Sequence, residues 1–133
     1  MRTALLDYFA ANPVPGFTLT QELPWDAGGT ALYLKNFKRI YVDTEQVAQE
    51  PLIDVLNGAG VVNQITTVTV RITTDAKNPP SNYQTMVNTF KAARLDSAIT
   101  GVTQRTTQVT TEFVSDAQVT EFEFSFTELI VNT

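Results

Sequence analysis

Three phenylalanines near the end of the chain constrain it most. Phe122, Phe124 and Phe126 alternate with Glu121, Glu123, Ser125 and Thr127, so an extended backbone there has one oily face and one wet face. An aromatic row of this kind has to be covered. The sequence offers a helix over residues 83–95, where Tyr83, Met86, Val87, Phe90 and Ala93 follow i, i+3, i+4, i+7 spacing. Sheet under helix is an α+β arrangement. The expectation is a mainly antiparallel sheet with a long C-terminal hairpin, one main helix on one face, and short helices besides. At 133 residues the chain reads as a single domain, 1–133, long enough to bury a core without metal or disulfide.

The partner of the phenylalanine strand is the stretch 102–114, joined to it around Asp116-Ala117. Setting Val114 opposite Val119 pairs Val109 with Phe124, Thr111 with Phe122 and Arg105 with Glu128. The same register sets Glu112 against Glu121 on the wet face, an unfavourable like-charge pair that calls for water or cations. After Phe126 the parity flips, because Leu129 and Val131 fall on the side of Glu121 and Glu123. Either a bulge sits near Thr127-Glu128 or the strand leaves the core there. An apolar chain end on the polar side is a candidate subunit contact; a tail folded back on its own domain is the alternative.

Upstream, residues 3–11 read as a short helix ended by Asn12-Pro13. Residues 17–23 read as a strand and 24–30 as a loop. Within that loop Gly28-Gly29 is a flexible turn rather than a phosphate-binding fingerprint, since no Lys-Ser or Lys-Thr follows. The stretch 31–43 is strand-rich, with a bulge or a turn near Lys35-Asn36. Glu50-Pro51 opens an expected short helix with Leu52, Ile53, Val55 and Leu56 on its apolar side and Asn57-Gly58 as its stop. Residues 61–74 form a long strand, with Val68, Val70 and Ile72 facing one way and Thr67, Thr69, Arg71 and Thr73 the other. The loop 75–80 leads to the main helix, where Ser81 or Asn78 is the expected cap.

The chemistry is sparse. The chain has no Cys and no His, which removes thiol nucleophiles, disulfides, the usual zinc ligands and the commonest general base. No cofactor or metal is expected. Glu121 and Glu123 among threonines make a solvated face, not an acid/base pair. The net charge of −5 argues against tight tracking of nucleic-acid phosphates. No apolar run approaches a membrane span and no signal-peptide h-region is apparent, so no membrane association is expected. Lys35, Lys38 and Arg39 form the basic cluster, read either as a charged edge that blocks aggregation or as a docking patch for an acidic partner. Trp25, the single tryptophan, reads as a lid over the sheet end or as an interface anchor.

Several stretches also carry a resemblance. Leu32-Tyr33-Leu34-Lys35-Asn36-Phe37-Lys38-Arg39-Ile40-Tyr41-Val42-Asp43, Glu50-Pro51-Leu52-Ile53, Thr74-Asp75-Ala76-Lys77-Asn78-Pro79-Pro80-Ser81-Asn82-Tyr83 and Phe124-Ser125-Phe126-Thr127-Glu128-Leu129-Ile130 resemble the tail-terminator proteins of long-tailed, non-contractile bacteriophages. The resemblance spans most of the chain as a pattern of elements and phrases. It implies a non-enzymatic virion protein, assembled in the host cytoplasm into a homo-oligomeric ring, usually hexameric, at the head-proximal end of the tail. Such a ring caps the tail tube protein, ends its polymerisation and meets the head–neck connector protein, with DNA only passing through the lumen. A head-to-tail ring needs two complementary patches. Lys35, Lys38 and Arg39 against Glu112, Glu121 and Glu123, with Leu129 and Val131 beside them, are the candidates. Related readings are a tail-tube or head-completion subunit; a small ligand-binding or enzymatic α+β domain is the reading from another class.

Overall fold

The computed structural model describes residues 1–54, 60–93 and 102–132, with side chains for all of these except 53, 54, 102–104 and 132. In chain order the elements are α1 (Arg2–Ala11), β1 (Thr18–Leu19), a 3-10 turn (Leu32–Leu34), β2 (Arg39–Val42), β3 (Gln46–Asp54), β4 (Gly60–Asp75), α2 (Tyr83–Lys91), β5 (Val102–Val114) and β6 (Ala117–Asn132). The fold is α+β. The sheet runs β1-β2-β4-β6-β5, and β3 pairs with the part of β4 that β2 leaves free. All pairs are antiparallel except β1 with β2.

The alternation that opened the sequence builds the core as expected. Phe122, Phe124 and Phe126 are fully buried, and Val70 and Val68 lie beside the first two on β4. Burying a side chain of that size contributes about 2–3 kcal/mol. The cover comes from two helices, not from α2 alone. Phe9 of α1 stacks on Phe90 of α2 with centroids 4.2 Å apart, and Phe90 lies 4.9 Å from Phe122. Leu5, Leu6, Met86 and Val87 complete the layer. Side-chain bonds hold α2 down at both ends: the Tyr83 hydroxyl pairs with Thr120 Oγ1 at 2.9 Å, and Arg105 donates to the Ala93 carbonyl. Neither Ser81 nor Asn78 caps α2. Asn82 is its N-cap residue, makes no side-chain cap bond and donates instead to the Pro15 carbonyl.

Four expectations about strands and register are corrected. The strand at 17–23 shrinks to Thr18–Leu19, because the chain there meets only the short β2. The strand-rich reading of 31–43 yields the 3-10 turn and then β2. Glu50-Pro51 lies in a strand, not a helix start: β3 pairs with β4 from Gln46↔Thr67 to Asp54↔Gly60. Proline is tolerated there because β3 is an edge strand with a register shift between Pro51 and Ile53. The proposed helix residues Val55 and Leu56 and the Asn57-Gly58 stop lie outside the described residues.

The hairpin register is the fourth. Val114 pairs with Ala117, so a two-residue turn at Ser115-Asp116 joins β5 and β6, with Ser115 at φ 55°. That places Val109 opposite Phe122, Thr111 opposite Thr120 and Arg105 opposite Phe126, two residues from the expected pairing. From Arg105 to Val114 and along β6 each residue keeps its expected face, because a shift of two preserves parity. The β4–β6 ladder runs without irregularity from Asp75↔Ala117 to Gly60↔Asn132. The parity flip after Phe126 is therefore β6 leaving the core. The irregularity nearby belongs to β5, between Val102 and Gln104, opposite Thr127 and Glu128.

Candidate interface surfaces

The face of the sheet turned away from the helices is built around Arg71. Its side chain is 15% exposed; Nη1 lies 2.8 Å from Asp43 Oδ2 and Nε 3.1 Å from Glu121 Oε1. The guanidinium also sits 5.5 Å from the ring centroids of both Trp25 and Tyr33, within range of cation–π attraction. Trp25 meets Tyr33 edge-on at 5.4 Å, and Thr73 donates to the Tyr33 carbonyl. The segment that precedes β2 is thus laid across the outer face by one cation and its ligands. Burial disfavours that cation, but Asp43 and Glu121 outweigh the effect and hold Arg71 above its ordinary value. Burial pushes the Tyr33 phenol up, Arg71 pulls it down, and Glu121 and Glu112 push it up again.

This cluster changes the meaning of the acidic face. Glu112, Glu121 and Glu123 share the outer face, but Glu112 lies opposite Val119, Glu121 opposite Thr110 and Glu123 opposite Gln108. The expected Glu112–Glu121 opposition does not occur, and Glu121 has Arg71 as an intrachain partner. Glu112 and Glu123 are exposed. Trp25 rests against the Arg71 guanidinium, and the residue remains 41% exposed. Its loop is tied by Asp26, whose Oδ1 accepts the N–H groups of Gly28 at 2.9 Å and Thr30 at 2.8 Å. The Thr30 bond in particular holds the Asp26 carboxyl below its ordinary value, against a smaller opposing effect of burial.

The basic cluster is divided. Arg39 reaches Glu22 at 3.8 Å, a solvent-exposed pair. Lys35 and Lys38 are exposed. Lys38 has φ 61°, a left-handed conformation that costs a lysine about 1 kcal/mol relative to glycine, and its N–H donates to the Thr73 carbonyl. At the β5–β6 turn lies a cleft of about 330 Å³, lined by Leu34, Phe37, Val114, Ser115, Asp116 and Ala117, and Lys35 and Lys38 follow Leu34 and Phe37 in the chain. Phe37 and Val114 are exposed there. Neither the Arg71 cluster nor this cleft was evident from the sequence, although a lone arginine amid alternating valines and threonines was a signal for the first.

The opposite end of the sheet is an arm. Beyond Thr66 on β4 and Phe126 on β6 the cover from α1 and α2 gives out among the described residues, and no residue among 60–65 or 127–131 is buried. Val47 is 56% exposed, Leu52 52%, Leu129 49% and Val131 60%. Leu129 and Val131 do emerge on the side of Glu121 and Glu123, and the register joins Glu50, Asn63 and Leu129 in one row across β3, β4 and β6.

Among the described residues no three acidic, Cys or His side chains are grouped to hold a metal ion, and no helix is long and apolar enough to cross a membrane. No family model and no curated protein matches the chain.

Proposed function

We propose that this chain is a structural assembly protein that works as a ring at the head-proximal end of a phage tail, ending growth of the tail tube and joining the tail to the head–neck assembly. The arm is the observation that carries the reading. Natural domains seldom extend a three-stranded sheet with half-exposed Val and Leu on both faces unless another surface covers it. The resemblance of the sequence to tail terminators supplies the setting: a closed, usually sixfold ring whose subunits cover one another. In that setting the exposed Glu112 and Glu123 would give the ring acidic patches from which passing DNA is repelled at short range.

The test mixes the protein with the tube subunit of the same tail and follows the product by negative-stain microscopy. The expected product is tubes of limited length ending in a ring. Long tubes built of this protein alone would make it a tube subunit and refute the terminator reading, and unaltered growth of the tube subunit would refute it as well.

A further inference from the structure

The two ends of the sheet carry opposite chemistry. The arm exposes apolar side chains with acids, Glu50 on the outer face in one row with Leu129 across Asn63 and Glu128 on the other face, and its sequence contains no Lys or Arg in 46–54, 60–66 or 126–132. The cleft exposes apolar side chains, and the exposed Lys35 and Lys38 directly follow its lining residues Leu34 and Phe37 in the chain, Lys35 also attracting the Asp26 carboxylate. Its own acid, Asp116, is answered by Lys77 at 3.3 Å. Ala117 in the cleft and Val131 in the arm lie on the same strand, β6. At about 3.3 Å per residue that strand holds them roughly 45 Å apart, so one copy cannot close the contact on itself. We propose that the arm of one copy seats in the cleft of a second copy, with Leu129 and Val131 against Phe37 and Val114, and with Glu50 facing Lys35 and Lys38.

Arm and cleft are different surfaces, so the contact is heterologous: each copy that offers an arm leaves its cleft open to the next. Lys38 fits this role. It occupies a left-handed position that glycine fills at lower cost, and it directly follows Phe37, which lines the cleft. The assignment rests on the ring reading for closure of the chain of contacts, not for the contact itself.

The chain holds no cysteine, so engineered thiols report without background. Phe37→Cys and Val131→Cys are made as single variants, and Asp7→Cys on α1 serves as a control. Under mild oxidation, an equimolar mix of Phe37→Cys and Val131→Cys should give at least fivefold more disulfide-linked dimer than Phe37→Cys mixed with Asp7→Cys. Equal yields overturn the proposal. The double variant Phe37→Cys/Val131→Cys should give a covalent ladder past the dimer; a product that stops at the dimer means two arms exchange about a two-fold axis and overturns the head-to-tail arrangement. Lys35→Glu/Lys38→Glu should lower the cross-linking yield severalfold and Glu50→Lys should restore it; failure of that rescue overturns the charge pairing. Capping of tubes is read separately. Cross-linking without capping would sink the tail-terminator reading alone, and capping without cross-linking would sink this contact alone.

Discussion

Replacing Arg71 with methionine removes the charge and keeps the stem that lies on β4. The Nη1–Asp43 bond at 2.8 Å is the best sheltered, with side chains 15% and 23% exposed. Hydrogen bonds to charged groups contribute about 1.5–3 kcal/mol, and the lower half of that range suits a pair that still reaches water. Glu121 is 34% exposed and recovers much of its solvation, so its loss costs about 0.5 kcal/mol. The two aromatic contacts add about 0.5 kcal/mol together at a half-open site. The sum is about 3 kcal/mol, equivalent to a fall in Tm of roughly 10 °C for a chain of this length. Urea unfolding measures it directly. Trp25, the single tryptophan, reports the cause, since loss of its cation should expose the indole and shift its emission to the red. A cycle with Asp43→Asn isolates the pair, and a coupling above 1 kcal/mol is expected. A loss under 1 kcal/mol with unchanged emission would refute the view that Arg71 fastens the loop to the sheet.

Other consequences are simpler to read. The Asp26 carboxyl has a lowered value in the folded state, so its contribution is complete above the ordinary carboxylate range and is lost as pH falls through the lowered value; Trp25 emission followed from pH 6 to pH 2 should show the loop loosen, and Asp26→Asn should flatten that step. Phe124→Ala opens a void beside Phe9 and Phe122, 6.0 and 6.4 Å away between ring centroids, and should cost about 3–5 kcal/mol in chemical denaturation. Gly29 has φ +82° with nothing within 4 Å of an added Cβ, so Gly29→Ala should cost about 1 kcal/mol of backbone strain without a clash, measurable as a small drop in Tm.

How far the sequence spoke follows from which forces are local. Period-2 and 3.6-residue patterns reflect one chain segment meeting one surface, so β4, β6 and both helices were legible, as were the faces of the hairpin residues from Arg105 onward. Register was not, because Ser115 adopts φ 55° and closes a turn tighter than the one assumed. Pro51 misled for a different reason: a proline suits the first turn of a helix and the edge of a sheet equally, and the partner that decides, β4, begins beyond the segment itself. Of the candidate interface residues, Leu129, Val131, Glu112 and Glu123 are exposed or nearly so as the sequence implied. Glu121 is not free, since its cation comes from a strand whose side-by-side placement with β6 no local pattern encodes.

The uninterrupted β4–β6 ladder has a kinetic side. It closes the chain between Asp75 and Ala117 at one end and between Gly60 and Asn132 at the other, so every rung is a distant pairing whose loop entropy is lost before its bonds form. The β5–β6 hairpin needs only a two-residue turn and can form first, offering β6 as the template on which β4 zips. Zipping then starts where α2 and the phenylalanines reward it and runs outward, so the rungs from Ile65 to Gly60 close last and open first. Hydrogen exchange along β4 should grade from slow at Val70 to fast at Val61, leaving the arm soft until something grips it.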